Sequence, residues 1–380
     1  MTTHLVPKGI SLASRRGFLR GAAALGGAAL ATPFLSRRAF AEPTELTMLA
    51  WYGHAEPDVV AEFEAENNVR FVPKYYTGGD NMLALISQSP PGTFDVILSD
   101  AEYVQQLNAM GYIEPLDPAD YAFDEFFPEF QQFPGHWVDG QLYSVITRFG
   151  FLGVAYNTDA LTEAEASTYD VFWDERLKGK LGHFDWHLPN YGEMSLLAGN
   201  ASPYDIDAAA WAAVQDRTMT LRPNVGGFFD YGGTFSSLES GEMLAFAGIG
   251  DWITGVLERN GAKVRSVIPE QGGLQWTESF SIGKGSAKAD LAKAWIQYIT
   301  SAKGQVKSAT MAAYPAMVPN QKGWELLGQA APEEARRQNM VLGQSNAMDL
   351  IRSGRIQYRQ LPIQQSLEEW ADAWSAYKGN

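Results

Sequence analysis

The chain has 380 residues, with 44 aspartates and glutamates against 29 lysines and arginines, a formal net charge of −15 and no cysteine. Such an acidic chain repels nucleic acid and anionic lipid headgroups, and without cysteine it has neither disulfides nor thiolate metal sites. Its length exceeds what one hydrophobic core usually supports, which predicts two domains.

The first 41 residues have the order of a twin-arginine signal peptide. Residues 14–20 read SRRGFLR, an Ala- and Gly-rich apolar stretch follows at 21–35, and residues 39–41 read AFA, the small-x-small pattern of a signal peptidase site. The apolar stretch is too short and too weakly apolar for a permanent membrane anchor. We therefore expect cleavage after Ala41 and a periplasmic location; the alternative is a cytosolic protein with a basic tail. Six basic residues and no acidic one lie in this leader, so the rest of the chain carries a net charge of −21.

Strands and helices alternate after the leader. The predicted elements are strands at 45–51, 69–75 and 94–98, a helix that begins at Pro57 and a helix at 81–87. This order indicates a mainly parallel sheet with helices on both faces. Ligands of such sheets lie beyond the carboxyl ends of the strands, so we expect ligand contacts in the loops after Ala50 and Leu98.

The later part of the chain continues the α/β pattern. The predicted elements are an extended run at 153–157, helices at 172–177 and 205–218, a buried strand at 243–247, and amphipathic helices around 291–299 and 367–374. Because no flexible linker interrupts them, we expect the chain to cross between two lobes through strands or short hinges, as in a clamp that closes on a ligand. The predicted lobes are residues 45–147 with 279–320, and residues 148–278 with 321–380.

A series of landmarks in a fixed order gives a family resemblance. They are Trp51-Tyr52 at a strand end, FDVIL at 94–98 followed by Tyr103, YSV at 143–145, GFLGVAYN at 150–157, Trp173 with KGKL at 178–181, SGE at 240–242, GGLQWTES at 272–279, Tyr314-Pro315 and VPN at 318–320. In this order they resemble the periplasmic polyamine-binding proteins of bacterial ABC importers, of the spermidine/putrescine type.

The resemblance implies a fold, a ligand class and a partner. The fold is the two-lobed α/β type II periplasmic-binding-protein fold, with a mainly parallel sheet flanked by helices in each lobe and the ligand cleft between them. The ligand is a small molecule, a polyamine or a related amine, and the partner is an ABC permease in the membrane. We expect a monomer that binds no nucleic acid, needs no cofactor and catalyses no reaction.

An alkylammonium ligand loses strong hydration on entering a cleft, and carboxylates and aromatic faces replace that energy. Trp276 and Glu278 lie two residues apart in an extended segment, face the same side, and resemble the family's hinge tryptophan and acid. Trp51 and Tyr52 supply an aromatic wall on the first lobe. The alternative for both tryptophans is that they belong to a lobe core.

The second lobe offers further candidates. The resemblance places acidic ligands near Asp185 and Glu193 and a polar contact at Gln357. Asp251 follows the predicted strand at 243–247 and would border the cleft. A solvated loop acid is the alternative for Asp185 and for Glu193.

Three residues depart from the polyamine pattern. Glu102 stands where the family has a tyrosine, Ile249 stands where a stacking tryptophan is expected, and Arg148 lies at the first crossing between the lobes. The guanidinium of Arg148 would repel a dicationic ligand, and it could bind a carboxylate through two hydrogen bonds. We therefore keep a second hypothesis, in which the ligand is zwitterionic or carboxylate-bearing: an amino acid, an opine or a betaine. Arg148 can equally pair with Glu102 or Glu278 and not meet the ligand.

Other arrangements carry little chemistry. His183 and His187 have a metal-binding spacing only on a helix, and Pro189 argues against one, so we predict no metal site. The sequence holds no phosphate-binding glycine loop, no Gly-x-Ser-x-Gly elbow and no His-Glu-x-x-His motif. A twin-arginine-exported enzyme remains a remote alternative.

Overall fold

Strands and helices alternate along residues 42–379, the part of the chain that the computed structural model describes. The predicted signal peptide and its cleavage site after Ala41 lie outside the described residues. The strands are β1 (Thr44–Ala50), β2 (Val69–Tyr75), β3 (Val96–Asp100), β4 (Trp137–Val138), β5 (Gln141–Leu142), β6 (Val145–Asn157), β7 (Leu181–Phe184), β8 (Val225–Phe229), β9 (Ala245–Gly250), β10 (Val264–Val267), β11 (Gly273–Ile282) and β12 (Ile356–Tyr358).

The helices are α1 (Pro57–Asn67), α2 (Gly79–Ser87), α3 (Val104–Ala109), α4 (Pro128–Gln131), α5 (Glu163–Ala166), α6 (His187–Leu197), α7 (Ala208–Met219), α8 (Tyr231–Glu239), α9 (Asp251–Arg259), α10 (Ala289–Thr300), α11 (Ala302–Ala309), α12 (Gln321–Ala330), α13 (Pro332–Arg337), α14 (Ala347–Arg352) and α15 (Leu367–Gly379). None of these helices is both long and apolar enough to cross a membrane.

One sheet runs through the molecule in the order β2-β1-β3-β11-β6-β9-β7-β8, with β10 beside β6 and β12 beside β11. At one end β1 is parallel to β2 and β3, and at the other end β7 is parallel to β8 and β9. The long strands β6 and β11 lie between these groups and are antiparallel to each other and to their outer neighbours β9 and β3. Two parallel groups are therefore joined by two antiparallel crossing strands.

Helices cover both parallel groups through aromatic packing. Next to β1 and β2, the ring of Trp295 on α10 lies 5.2 Å from that of Phe63 on α1 and 4.7 Å from that of Phe71. Next to the other group, Trp370 on α15 stacks on Trp211 on α7 at 4.7 Å. Aromatic pairs of this kind add to the free energy gained by burying their area.

Most of the predicted elements form with shifted ends, and one prediction is wrong. Residues 172–177 make no α-helix but belong to two short 3-10 turns, because Asp174 is extended between them and its carboxylate accepts the N–H of Arg176. The predicted helix at 205–218 begins only at Ala208, where the side chain of Asp207 caps it. The strand predicted at 243–247 is displaced to Ala245–Gly250.

Residues 42–379 belong to one compact unit. Helix α12, which falls in the second predicted lobe, packs against α11, which falls in the first. The exact residues at which the lobes divide stay a prediction.

Candidate functional site

The candidate site is a cavity of about 510 Å³ between the two parallel groups of strands, called here the central cavity. This volume is in the range of small-molecule sites. Its lining residues are Trp51, Tyr52, Tyr75, Tyr76, Thr77, Asp100, Leu152, Phe184, Asp185, Trp186, Phe229, Asp230, Tyr231, Gly248, Trp252, Trp276, Glu278, Tyr314 and Arg359.

Many of the lining side chains lie at or just beyond the ends of strands. The parallel strands β1, β2 and β3 end at one edge of the sheet, so their ends and the segments that follow them meet there. Trp51, directly after β1, and Asp100, the last residue of β3, line the cavity, as expected for the segments after Ala50 and Leu98. The ends of β7, β8 and β9 supply the opposite wall. Trp276 and Glu278 reach the cavity from β11, on the same face of the strand, as their spacing predicts.

Aromatic rings from the two walls of the central cavity approach each other at an angle. The ring centroids of Trp51 and Trp186 are 6.2 Å apart, and those of Tyr52 and Tyr231 are 6.3 Å apart. Tyr231 also stacks on Trp252 at 5.8 Å. Aromatic surface at the cavity wall can attract a cation through its electron-rich ring faces.

Glu278 stands at the centre of a buried polar cluster. Its Oε2 lies 3.3 Å from Nε of Arg148 and 3.0 Å from Nε2 of His54, and Tyr314 donates its hydroxyl to Oε1 at 2.8 Å. Burial opposes the ionisation of Glu278, but His54, Arg148 and the Tyr314 hydroxyl outweigh it, so the pKa of Glu278 lies below its usual value. Burial lowers the pKa of His54 despite the adjacent carboxylate. Arg148 is therefore the resident cation that pairs with Glu278.

A second buried cluster joins two carboxylates to one guanidinium. Arg359 donates Nε to Glu102 at 2.6 Å and a terminal nitrogen to Asp100, and its Cζ lies 4.4 Å above the ring of Trp186. Trp51 donates its indole N–H to Asp100 at 3.1 Å. Burial raises the pKa of Asp100 to about 7, against the charge of Arg359, and also raises that of Glu102.

The C-terminal helix reaches the cavity wall at Asp185. Lys378 donates to both carboxylate oxygens at 2.8 Å, and Trp374 donates its indole N–H to Oδ1 at 2.8 Å. Asp230, by contrast, accepts the N–H of Gly233 as the N-cap of α8, and no ion pair of the described residues includes it. Asp230 is the cavity carboxylate with the fewest competing cations.

The structure brings five of the ten sequence-predicted residues to the cavity surface. They are Trp51, Tyr52, Asp185, Trp276 and Glu278. Glu102 and Arg148 lie directly behind it, as ion-pair partners of the lining residues Arg359 and Glu278. Both tryptophans also belong to the hydrophobic core or pack against it, so the two interpretations of these side chains coexist.

The other three predicted residues do not line the central cavity. Glu193 is fully buried inside α6, and Gln357 donates its amide to the carbonyl of Gly354. Asp251 lines a separate cavity of about 230 Å³ with Arg265 and Arg337, where burial raises its pKa to about 7.

Several lining residues were missed from sequence. Arg359 is the most consequential, two positions after the predicted Gln357; Asp100 is the last residue of β3, and Asp230 and Tyr231 directly follow β8. The rule that ligand sites lie beyond strand ends pointed to the segment after Leu98, which contains Asp100, but the strand before Asp230 was not predicted. No comparable signal marks Arg359.

Of the two histidines with a possible metal-binding spacing, His183 takes part in a buried hydrogen-bond network. His183 hydrogen-bonds through its ring nitrogens to Asn190 at 2.7 Å and to Tyr377 at 3.1 Å, and burial lowers its pKa to about 4. Within residues 42–379 no group of three or more histidine, cysteine or acidic side chains has a metal-binding arrangement.

Comparison with known proteins identifies the family. Residues 58–323 match the family model described as bacterial extracellular solute-binding protein. The chain is similar to the spermidine/putrescine-binding periplasmic protein of Salmonella typhimurium, with 22% identity over 291 residues, 76% of this chain and 81% of the relative.

Solved structures give the same fold. A putative spermidine/putrescine ABC transporter from Listeria monocytogenes matches with a TM-score of 0.74 and 20% identity, covering 88% of this chain and 99% of that one. The protein MotA of A. tumefaciens B6 in complex with glucopine matches with a TM-score of 0.67 and 17% identity, over 88% and 99% of the two chains. These likenesses confirm the resemblance drawn from the order of motifs and the type II periplasmic-binding-protein fold.

Proposed function

The chain belongs to the bacterial extracellular solute-binding proteins, and on that premise we propose that it is the substrate-binding component of an ABC importer. It holds a small cationic amine, such as putrescine or spermidine, in the central cavity and delivers it to a membrane permease. Its family is one of solute-binding proteins, and we assign the chain no catalytic role.

The observation that carries this proposal is the charge of the cavity wall. The lining residues include four carboxylates, Asp100, Asp185, Asp230 and Glu278, and one guanidinium, that of Arg359. Lys378 and Arg148, which pair with Asp185 and Glu278, stand outside the lining, and Asp230 has no ion-pair partner among the described residues. An ammonium group that enters this wall exchanges its hydration for charge-assisted hydrogen bonds. The lining rings of Trp51 and Trp252 offer cation–π attraction of about 0.5–2 kcal/mol each.

A thermal-shift panel on the chain without residues 1–41 tests the proposal. The panel holds putrescine, cadaverine, spermidine, amino acids, betaines and simple carboxylates. A ligand present at 100 times its Kd adds about 2.7 kcal/mol to the free energy of unfolding, which shifts the melting temperature by several degrees. A shift with a di- or triamine supports the proposal; a shift with none of the amines contradicts it.

A second candidate ligand is zwitterionic, and Arg359 favours it. This guanidinium lies at the cavity surface, over Trp186, where a carboxylate has access to its remaining donors. An amino acid, opine or betaine would place its carboxylate there and its cationic group near Asp230 or Glu278. A shift confined to zwitterions would select this candidate and keep the transport role.

We infer that the ligand is captured by hinge closure. The predicted lobes, residues 45–147 with 279–320 and residues 148–278 with 321–380, would rotate about the crossing strands β6 and β11. Closure brings Trp51 and Tyr52 toward Trp276, Glu278 and the segment at 185–193 and excludes water, which strengthens every charge contact inside. The closed surface is what the permease would recognise.

The remaining proposals concern location and assembly. The relative named above is a periplasmic protein, and the motif at 14–20 supports export of this chain by the twin-arginine route with cleavage after Ala41. We propose that the mature protein acts as a monomer that needs no cofactor.

A further inference from the structure

Glu193 is a buried acid with no charge to balance it. The side chain has no solvent exposure, its Oε2 accepts the backbone N–H of Gly248 at 2.9 Å, and its Oε1 makes no hydrogen bond among the described residues. No ion pair of residues 42–379 includes it. The titratable side chains that interact electrostatically with Glu193 are those of Tyr169 and Tyr204, and neither is a cation.

Gly248, the partner of Glu193, lies at an irregularity in strand β9. Gly153 of β6 faces Ile249, and Ala155 faces Phe246, so two residues of β9 oppose the single residue Val154. This is a β-bulge, and Gly248 has φ of +80° within it, a conformation that L side chains rarely adopt. A bulged N–H needs a partner outside the strand ladder, and Glu193 supplies it.

The bulge is part of the central cavity. Gly248 lines the cavity itself, and the strand continues from it into α9, whose second residue, Trp252, lines the cavity too. A Cβ on Gly248 would lie 2.7 Å from Nδ2 of Asn190, so α6 packs directly against this backbone. The position of Trp252 therefore depends on a bulge that α6 holds from behind.

Asn190 also binds the backbone of the cavity wall, in a second segment. It lies three residues before Glu193 and so on the same face of α6. Its Nδ2 donates to the carbonyls of Phe184 and Trp186, each at 2.8 Å, and both of these residues line the cavity. One helical face thus binds the backbone of two cavity segments.

We propose that Glu193 is a positioning residue of the ligand site: its carboxyl group holds the bulged backbone of Gly248, and through it the wall that carries Trp252, without touching the ligand. The part about ligand affinity rests on the proposed function. Burial raises the pKa of Glu193 well above its usual value, and the hydrogen bond from the N–H of Gly248 opposes this shift.

The chemistry separates positioning from direct binding. Glutamine has the shape of a protonated glutamic acid and keeps an oxygen that accepts the N–H of Gly248, so Glu193→Gln preserves the bulge. A carboxylate that contacts an ammonium ligand needs its charge, so the same variant would weaken a direct contact. Glu193→Leu keeps the volume and removes the acceptor.

The experiment uses the chain without residues 1–41, as wild type, E193Q and E193L, with two measurements. Hydrogen–deuterium exchange of a peptide covering residues 245–250, without ligand, reports on the bulge. Titration with putrescine reports on the site. We expect E193Q to exchange as the wild type and to bind putrescine within threefold, and E193L to exchange at least tenfold faster at Gly248 and to bind at least tenfold more weakly.

Two results would overturn the proposal: unchanged exchange in E193L, or tenfold weaker binding of putrescine by E193Q with exchange unchanged. If E193L does not fold, G248A tests the same contact from the other side, and unchanged affinity in G248A also overturns it. If putrescine does not bind the wild type, the proposed ligand fails, and the exchange measurement alone decides the role of Glu193.

Discussion

The carboxylate of Glu278 lies 3.3 Å from Nε of Arg148, a guanidinium with no exposure to solvent. Arg148 also donates to the carbonyl of Tyr314 at 2.8 Å and stands 4.3 Å over its ring. A guanidinium held on three sides has little freedom to turn toward a ligand. Its first role is to keep Glu278 ionised at the cavity surface.

We therefore expect Glu278→Gln to destabilise the protein. It leaves the buried charge of Arg148 without its counter-charge, which typically costs about 3–5 kcal/mol. Urea unfolding measures the loss, and the Kd for a bound amine should rise several-fold in the same variant. Glu333→Gln is the matched control, because Glu333 pairs with Arg336 on the surface and such pairs are worth about 0–1 kcal/mol. Equal stability of E278Q and E333Q would contradict this account.

The affinity for a cationic amine should rise with pH around neutrality. Burial holds the pKa of Asp100 near 7, and an ammonium ligand prefers the ionised carboxylate, so binding is weaker where Asp100 is protonated. Below this pKa, affinity should increase by up to about tenfold per pH unit and level off above it. Alkylamines keep their protons throughout this range. Calorimetric titrations from pH 5.5 to 8.5 measure the slope, and Asp100→Asn should flatten it; an equal slope in D100N would assign the titration to another group.

Trp252 should contribute to affinity through its ring face. Its ring is partly exposed in the cavity and stacks on Tyr231. Trp252→Leu keeps an apolar side chain and removes the cation–π surface, worth about 0.5–2 kcal/mol or about 2–30-fold in Kd. Trp173→Leu is the control, since that ring packs under Arg217 away from the cavity. Equal affinities of the two variants would remove Trp252 from the site.

Lys378 and Asp185 should have opposite effects on amine binding. Lys378 already donates to both oxygens of Asp185, so an incoming ammonium competes with it. We expect Lys378→Met to tighten binding by a few-fold and Asp185→Asn to weaken it. Lys322→Met, which breaks a surface pair with Glu125 elsewhere, should change nothing. Weaker binding in K378M would mean instead that Lys378 serves to orient Asp185.

Glu193 should make stability depend on pH. Because its pKa is higher in the folded than in the unfolded chain, the folded state binds the extra proton, and the stability that this provides is lost as pH rises above the usual value of 4.5. The glutamine of Glu193→Gln does not titrate. As pH rises, the free energy of unfolding of this variant, relative to that of the wild type, should therefore increase by up to about 1.4 kcal/mol per pH unit. Urea unfolding between pH 5 and 8 measures the difference; a constant difference would show that Glu193 is ionised in the fold.

Local pattern was enough to predict the alternation of strands and helices. The strand at 69–75 appears at its predicted bounds, because β-branched and aromatic residues there alternate at strand spacing. The prediction at 172–177 failed because a single residue, Asp174, interrupts an otherwise helical pattern with its own side-chain hydrogen bond. Capping of this kind is decided by one hydrogen bond, which periodicity does not report.

Cavity residues could be predicted from sequence where their position follows from the strand in which they lie or which they follow. Trp276 and Glu278 share a face because strands alternate, and Trp51 follows from its place after β1. Arg359 was not predictable, because its partner Asp100 lies 259 residues earlier and only the completed sheet joins them. Glu193 was predicted as a ligand because the family resemblance places acidic ligands near it, whereas its burial depends on how α6 packs against a bulge in β9.

The central cavity draws its walls from residues as far apart as Trp51 and Arg359. No fragment shorter than residues 51–359 contains all of the lining residues, and without Arg359 the buried carboxylates of Asp100 and Glu102 would lack their counter-charge. The complete wall therefore exists only where segments from both ends of this range have joined one fold. A ligand that contacts both Trp51 and Arg359 binds only the assembled structure, so occupancy of the site also reports that the chain has folded.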